Sequence, residues 1–291
     1  MRFEAVIPAY RPDDKLERCI GMLLRQKEKP GRIKVLLTTD DFGEAEALRQ
    51  KLGSGVIVEQ VQKADFSHGG TRQMAMDDAI ADYVLFMTQD AVPCDEDMTE
   101  ALLNAVSKPG AAAAYARQIA YAGADSVEKY TRRFNYPTKS RTQTAKDLQT
   151  IGVKAIFCSD TCAIYSRTLH KQIGGFDTSA NFNEDGIFAY HALNAGYTVE
   201  YCAEARVFHS HDFTLKQQFE RSCTIALNQK AHPEIYRKLK SESEGIRYIR
   251  TGVRFFAKKK KYRSVVKLIV TGIVRYAGYF CGKHFSGKKD K

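Results

Sequence analysis

What this 291-residue sequence lacks narrows it first. Its seven cysteines are odd in number and form no Cys-x-x-Cys pair, so neither a disulfide framework nor a zinc finger is expected. They read as buried thiols of a reducing compartment. No apolar h-region follows Met1-Arg2-Phe3-Glu4 before Pro8, so no secretory signal is expected. No run of about 18 uncharged apolar residues occurs, which leaves no clear transmembrane helix. Repeats and low-complexity tracts are missing too, apart from Lys258–Lys261. A hydrophobic share of 44% and a charged share of 27% exclude a disordered or collagen-like chain.

Acid is scarce in one place. Residues 246–291 hold 14 Lys or Arg and one acid, Asp290, a net of +13. Residues 1–245 hold 31 basic and 33 acidic side chains, a net of −2. The whole-chain charge of +11 and pI near 9.2 therefore belong to a tail. A nucleic-acid-binding protein would carry charge into its body and show aromatic–basic RNA motifs, and neither is seen. In the tail, Arg263, Lys267, Arg275 and Lys283 fall along one broad side of a helix, with Val266, Ile269, Val270, Ile273, Val274, Ala277 and Phe280 on much of the rest. A basic amphipathic helix suits an anionic membrane surface; docking on the protein's own core is the alternative.

What is present is a strand–helix alternation. Phe3–Pro8, Ile33–Thr39, Val56–Val61 and Tyr83–Met87 read as buried strands. Between and after them lie helices with apolar stripes. The first, capped by Asp13 or Asp14, carries Leu16, Cys19, Ile20, Leu23 and Leu24. Others run from about Glu44 to Leu52, from about Thr71, and through Met98–Val106. This predicts an α/β domain with a mainly parallel sheet, whose ligands sit at the carboxyl ends of the strands. Residues 121–155 read as helix plus loop. Later signals give a strand over Thr161–Ser166, a helix from Glu184 to Gly196, strands over Tyr197–Tyr201 and Ala205–His209, and a helix over Leu215–Ala231.

Four constellations could carry chemistry. Thr88-Gln89-Asp90 follows a buried strand and offers a carboxylate to a cation beside a diphosphate; a plain strand end is the alternative. Glu184-Asp185 opens a helix, either as dipole-complementing charge or as a general base. His209 and His211, two apart, share one face and suit a transition-type ion, though solvated histidines are as consistent. In Phe66–Gln73 (FSHGGTRQ), glycines and a helix N-terminus could cradle an anion that Arg72 grips; a capped loop with Arg72 in a structural ion pair is the alternative.

These pieces occur in a familiar order. VIPAY (Val6–Tyr10), FSHGGTRQ (Phe66–Gln73), LFMTQDAVP (Leu85–Pro93), IGVKAIFCSDTCAIYSR (Ile151–Arg167), IGGFD (Ile173–Asp177), NEDGIFAYHALNAGY (Asn183–Tyr197) and EARVFHSHDFTLKQQFER (Glu204–Arg221) together make the chain resemble family 2 glycosyltransferases of the GT-A fold. Within them it resembles the bacterial rhamnosyltransferases, and the match covers about residues 2–221.

The resemblance implies a Rossmann-like three-layer sandwich and an inverting transfer from a nucleotide-activated sugar to a hydroxyl. Pro8, Tyr10, Arg11, Asp40, His68, Gly70, Arg72, Gln89 and Asp90 are the implied nucleotide-sugar contacts. Asp90, with His209 or His211 and His209 slightly favoured, is the implied Mg²⁺ or Mn²⁺ site. Asp185 is the implied base, with Glu184 beside it. Thr88 and Gln89 depart from the family's usual acidic DXD motif, in a form the rhamnosyl branch shares. The implied donor is dTDP-rhamnose, with a UDP-hexose as the alternative. The implied acceptor is a saccharide, often lipid-linked, used for cell-surface polysaccharide at the cytoplasmic face of the membrane. A nucleotide-sugar half (1–110), an acceptor and catalytic half (111–235) and a basic helical tail (236–291) are the expected divisions.

Overall fold

The computed structural model describes residues 2–180, 182–239 and 242–285. The first seven elements alternate as the sequence requires: β1 (Phe3–Ala9), α1 (Asp14–Leu23), β2 (Ile33–Thr38), α2 (Phe42–Leu52), β3 (Ile57–Val61), α3 (His68–Asp78) and β4 (Tyr83–Met87). Next come β5 (Val92–Pro93), α4 (Met98–Val106), β6 (Ala111–Ile119), α5 (Ser126–Asn135), β7 (Arg141–Gln143) and α6 (Ala145–Thr150). The rest is β8 (Cys162–Ser166), α7 (Arg167–Ile173), α8 (Glu184–Asn194), β9 (Thr198–Phe208), α9 (Leu215–Ala231), α10 (Pro233–Tyr236), α11 (Glu242–Lys258) and α12 (Tyr262–His284).

The strands form one sheet in the order β3-β2-β1-β4-β8-β6-β9-β5, with β7 also on β9. Strands β1 to β4 pair in parallel, as do β6 and β9, whereas β8 runs against both β4 and β6. Two reversals restore direction, so β1, β4, β6 and β9 all end at the same edge, and β8 begins there. Side chains alternate between two apolar layers, as a sheet covered on both faces demands. Ala5, Ile7, Val35 and Leu85 meet Leu16, Leu48 and Leu102 on one side. Val6, Leu36 and Phe86 meet Met76 and Phe188 on the other.

Two local readings change. Helix α3 starts at His68, three residues before Thr71, because Ser67 Oγ accepts from Gly70 N at 2.9 Å and caps it there. The two strands expected over 197–209 are one long strand, β9, and a register shift against β6 between Ala116 and Arg117 accommodates the middle residues. Strand β6 opens with four alanines, good helix formers; complete burial between β8 and β9 overrides that preference.

Helices α11 and α12 pack on α5 and α9. Gly278 and Gly282 let α12 approach closely: a Cβ there would lie 2.3 Å from Phe219 O and 2.4 Å from Cys223 O. Leu268 and Phe256 join Val127 and Tyr130 in a small core of their own. Lys267 reaches Asp125 at 3.0 Å, and Arg275 Nε reaches Gln218 Oε1 at 2.8 Å. The outward face of α12 is consequently apolar rather than basic. Tyr262, Val266, Ile269, Val270, Ile273, Tyr276 and Phe280 are exposed along it, with Arg263 and Lys283 at its flanks. The expectation of no membrane-spanning stretch also needs correcting. Lys267 and Arg275 interrupt the apolar run, yet this 23-residue helix, with a window of mean hydropathy 1.3, is long and apolar enough to cross a membrane by length and composition. The end of the basic tail, 286–291, lies outside the described residues.

Candidate active site

The shared strand edge collects the functional side chains. Asp90 follows β4, His209 and His211 follow β9, and Asp160 precedes β8. Asp160 N donates to Asp185 Oδ2 at 3.2 Å, which ties the start of α8 to the same edge.

Asp90 Oδ2 lies 3.5 Å from His209 Nε2 and 3.7 Å from His211 Nδ1. One ligand atom from each residue falls within 4.8 Å of the others. Ligands of one ion at about 2.1 Å lie within roughly 4.3 Å of each other, so a slight closing makes a half-shell. Two imidazoles and a carboxylate suit Mn²⁺ and related ions better than an all-oxygen site would. Burial lowers both histidines, His211 to about 3, which keeps their lone pairs free for a metal.

Gln89 does different work from an acid at its position. Its amide mimics a peptide: Oε1 accepts from Tyr10 N at 2.8 Å and Nε2 donates to Tyr10 O at 3.1 Å. It thereby fixes the turn after β1, where Pro8 sits in the strand and Arg11 adopts a positive φ of 46°. Tyr10 and Arg11 are exposed there, the guanidinium 5.1 Å from the ring centre. Asp40 is exposed at the end of β2 and tied to Lys63, whose N donates to it at 2.9 Å.

The FSHGGTRQ loop is not placed for the anion cradle read from it. Gly69 N donates to Ala180 O, Gly70 N to Ser67 Oγ and Thr71 N to Ser67 O, so the first amides of α3 are taken. A Cβ on Gly69 would lie 1.9 Å from Asp177 O: this glycine permits loop packing, not ligand approach. Arg72 is 4% exposed. Its Nε meets Asp160 at 2.9 Å and its Nη1 meets Glu184 at 2.8 Å, so it is the structural ion pair rather than a free phosphate grip. His68 is partly buried, edge-on to Phe66 and Phe182.

Asp160, Glu184 and Asp185 thus crowd around one arginine. Tyr165 donates to Asp160 Oδ1 at 2.5 Å. Asn183, in a left-handed conformation with φ 65°, turns the chain into α8 and aims the pair inward. Burial, then the charges of Asp160 and Glu184, push the Asp185 carboxyl well above its usual range. Burial also raises Asp160, against the pull of Arg72. A raised carboxyl at the strand edge beside Asp160 and Glu184 fits a proton acceptor. Asp160 lies within FCSD without a role legible from the sequence; a lone acid before an apolar strand is its signal. Gln118 and Arg132, which hold His209, had none.

Residues 4–174 match the family model described as "Glycosyl transferase family 2". The chain belongs to this family. The glycosyltransferase is 29% identical to the O-antigen chain rhamnosyltransferase RfbN of Salmonella typhimurium over 98% of this chain and 90% of that protein. It is 27% identical to the O-antigen chain rhamnosyltransferase WbaN of Salmonella anatum, over 97% and 90%. Among solved structures it resembles the mannosyltransferase PcManGT of Pyrobaculum calidifontis, a complex with GDP-Man and Mn²⁺, with a TM-score of 0.65, 13% identity and coverage of 99% and 88%. It also resembles S. aureus TarS residues 1–349, with a TM-score of 0.52, 15% identity and coverage of 97% and 90%. At such identities the structural likenesses establish the fold. The family match ends before Asp185, His209 and His211, which lie within the span shared with the two rhamnosyltransferases.

Proposed function

We propose that this glycosyltransferase moves rhamnose from dTDP-rhamnose, with inversion, onto a hydroxyl of a lipid-linked saccharide in cell-surface polysaccharide synthesis. The observation that carries the reading is the placement of Asp185 and the Asp90–His209–His211 cluster on one sheet edge, in a chain that aligns nearly end to end with two O-antigen chain rhamnosyltransferases.

Residues 1–110 would bind the nucleotide sugar and 111–235 the acceptor. Tyr10, Arg11, Asp40 and Gln89 line the donor's end of the edge, with Pro8 in β1 just before it. Asp90, His209 and His211 would hold a Mg²⁺ or Mn²⁺ ion, which when bound supplies positive charge against the departing diphosphate. Asp185 takes the proton of the attacking hydroxyl, and the oxygen approaches the anomeric carbon opposite the leaving group, so a single displacement inverts it. Arg72 acts from behind, neutralising Glu184 and Asp160 so that Asp185 can ionise beside them.

The exposed apolar stripe of α12, with Lys258–Lys261 at its start, would seat residues 236–291 on the anionic inner face of the membrane. Docking of the opposite face on α9 favours lying in the interface over spanning. A thermal-shift panel of dTDP-rhamnose, UDP-glucose, UDP-galactose and GDP-mannose with Mg²⁺ or Mn²⁺ tests the donor. The largest stabilisation should come from dTDP-rhamnose; a larger one from a UDP-sugar would transfer the assignment to a UDP-hexose.

A further inference from the structure

Gln118, near the end of β6, is 3% exposed. Its Oε1 lies 2.8 Å from His209 Nδ1. Arg132 Nη1 donates to the same oxygen, and Gln118 Nε2 donates to Ser159 Oγ at 2.9 Å. Arg132 is held in turn by Glu128, 2.7 Å from its Nε. Arginine can only donate, so the atom it meets is the amide oxygen. An amide oxygen can only accept, and its two lone pairs serve Arg132 and His209. His209 Nδ1 must therefore carry the hydrogen, and the lone pair of a neutral ring falls on Nε2. That is the nitrogen facing Asp90 at 3.5 Å. His211 is held more loosely, partly exposed and stacked on Phe213 with ring centres 4.5 Å apart.

We propose that Gln118, clamped by Arg132 and Ser159, is a positioning residue that fixes His209 as the Nδ1–H tautomer and aims its Nε2 at the divalent cation, an inference that rests on reading Asp90, His209 and His211 as the ligands. The amide sets both the ring's orientation and its donor atom, and so the affinity for the ion. Partners of this kind behind a ligating histidine typically matter 10–100-fold for metal affinity.

The test is Mn²⁺ titration of the full chain by calorimetry, with pulsed EPR reading histidine-nitrogen coupling to the bound ion. Gln118→Met keeps the length and removes the acceptor. It should raise the Mn²⁺ Kd about 10–100-fold and weaken the nitrogen coupling. Gln118→Glu still accepts from Nδ1 and should recover most of both. Circular dichroism checks that each variant folds. If Gln118→Met does not, Arg132→Met, which frees the amide to turn, carries the test, with loss of affinity as the supporting result. A folded Gln118→Met or Arg132→Met with unchanged Kd and unchanged coupling overturns the proposal. Failure of the metal reading is distinguishable: the unaltered chain binds no Mn²⁺, or His209→Ala binds it as tightly as the unaltered chain, and the proposal falls with it.

Discussion

Arg72 and Glu184 meet at 2.8 Å with side chains only 5% and 6% exposed, and the same guanidinium holds Asp160 at 2.9 Å. One cation thus compensates two buried carboxylates beside a third, Asp185. Removing it leaves buried charge without a partner, which costs about 3–5 kcal/mol. Arg72→Met should accordingly lower the urea midpoint strongly. Arg72→Lys should rescue little, because an ammonium is a point charge and cannot span both acids. A midpoint unchanged in Arg72→Met would refute the structural role.

The raised Asp185 carboxyl has a definite pH signature. Burial comes first among its causes, then repulsion from Asp160 and Glu184. A carboxyl raised on folding contributes stability that is fully present below the ordinary value of about 3.9 and is lost as pH rises through the elevated one. Asp185→Asn imitates the protonated form. It should match the unaltered chain in stability near pH 4 and exceed it increasingly above, by about 1.4 kcal/mol per unit of elevation. Parallel stability curves from pH 4 to 9 would contradict this.

The two histidines should not be equivalent. His209 is 5% exposed and anchored by Gln118, whereas His211 is partly exposed and anchored by stacking. His209→Ala should weaken Mn²⁺ binding more than His211→Ala, and Asp90→Ala should abolish transfer that chelation also abolishes. Equal losses from both histidine variants in a Mn²⁺ titration would argue against the ordering.

The tail has two faces with different tasks. Ile273 and Tyr276 are 63% and 70% exposed on α12, while Gly278 touches the backbone of α9. Ile273→Asp with Tyr276→Asp should leave the melting temperature nearly unchanged and weaken sedimentation with anionic liposomes by about tenfold or more, since each buried apolar side chain is worth about 1.5–3 kcal/mol. Gly278→Val should lower the melting temperature, because its Cβ has no room. Full liposome binding by the double variant would remove this face as the contact.

The amphipathic and buried runs made the donor half readable. Leu16, Cys19, Ile20 and Leu23 marked α1, and Tyr83–Met87 marked β4 to the residue. Where long-range contacts decide, the signal failed. The alanines of β6 are strand only because β8 and β9 enclose them. Arg72 looks like a phosphate ligand until α8 and the residues before β8 bring two carboxylates to it. Lys267 and Arg275 look like a membrane-facing pair until α5 and α9 engage them. Asp90, Asp185, His209 and His211 stood out because each lies in a block that resembles the family, LFMTQDAVP, NEDGIFAYHALNAGY or EARVFHSHDFTLKQQFER. Gln118 did not, since an amide has meaning only through its partners.

Turnover of Asp185→Asn tests the account most directly. Release of dTDP from dTDP-rhamnose in the presence of acceptor-bearing membranes gives the rate, and calorimetry with dTDP gives the affinity. A fall in kcat of about 10²–10⁴-fold, with dTDP binding retained, is expected if Asp185 is the base. Turnover close to that of the unaltered chain would contradict it.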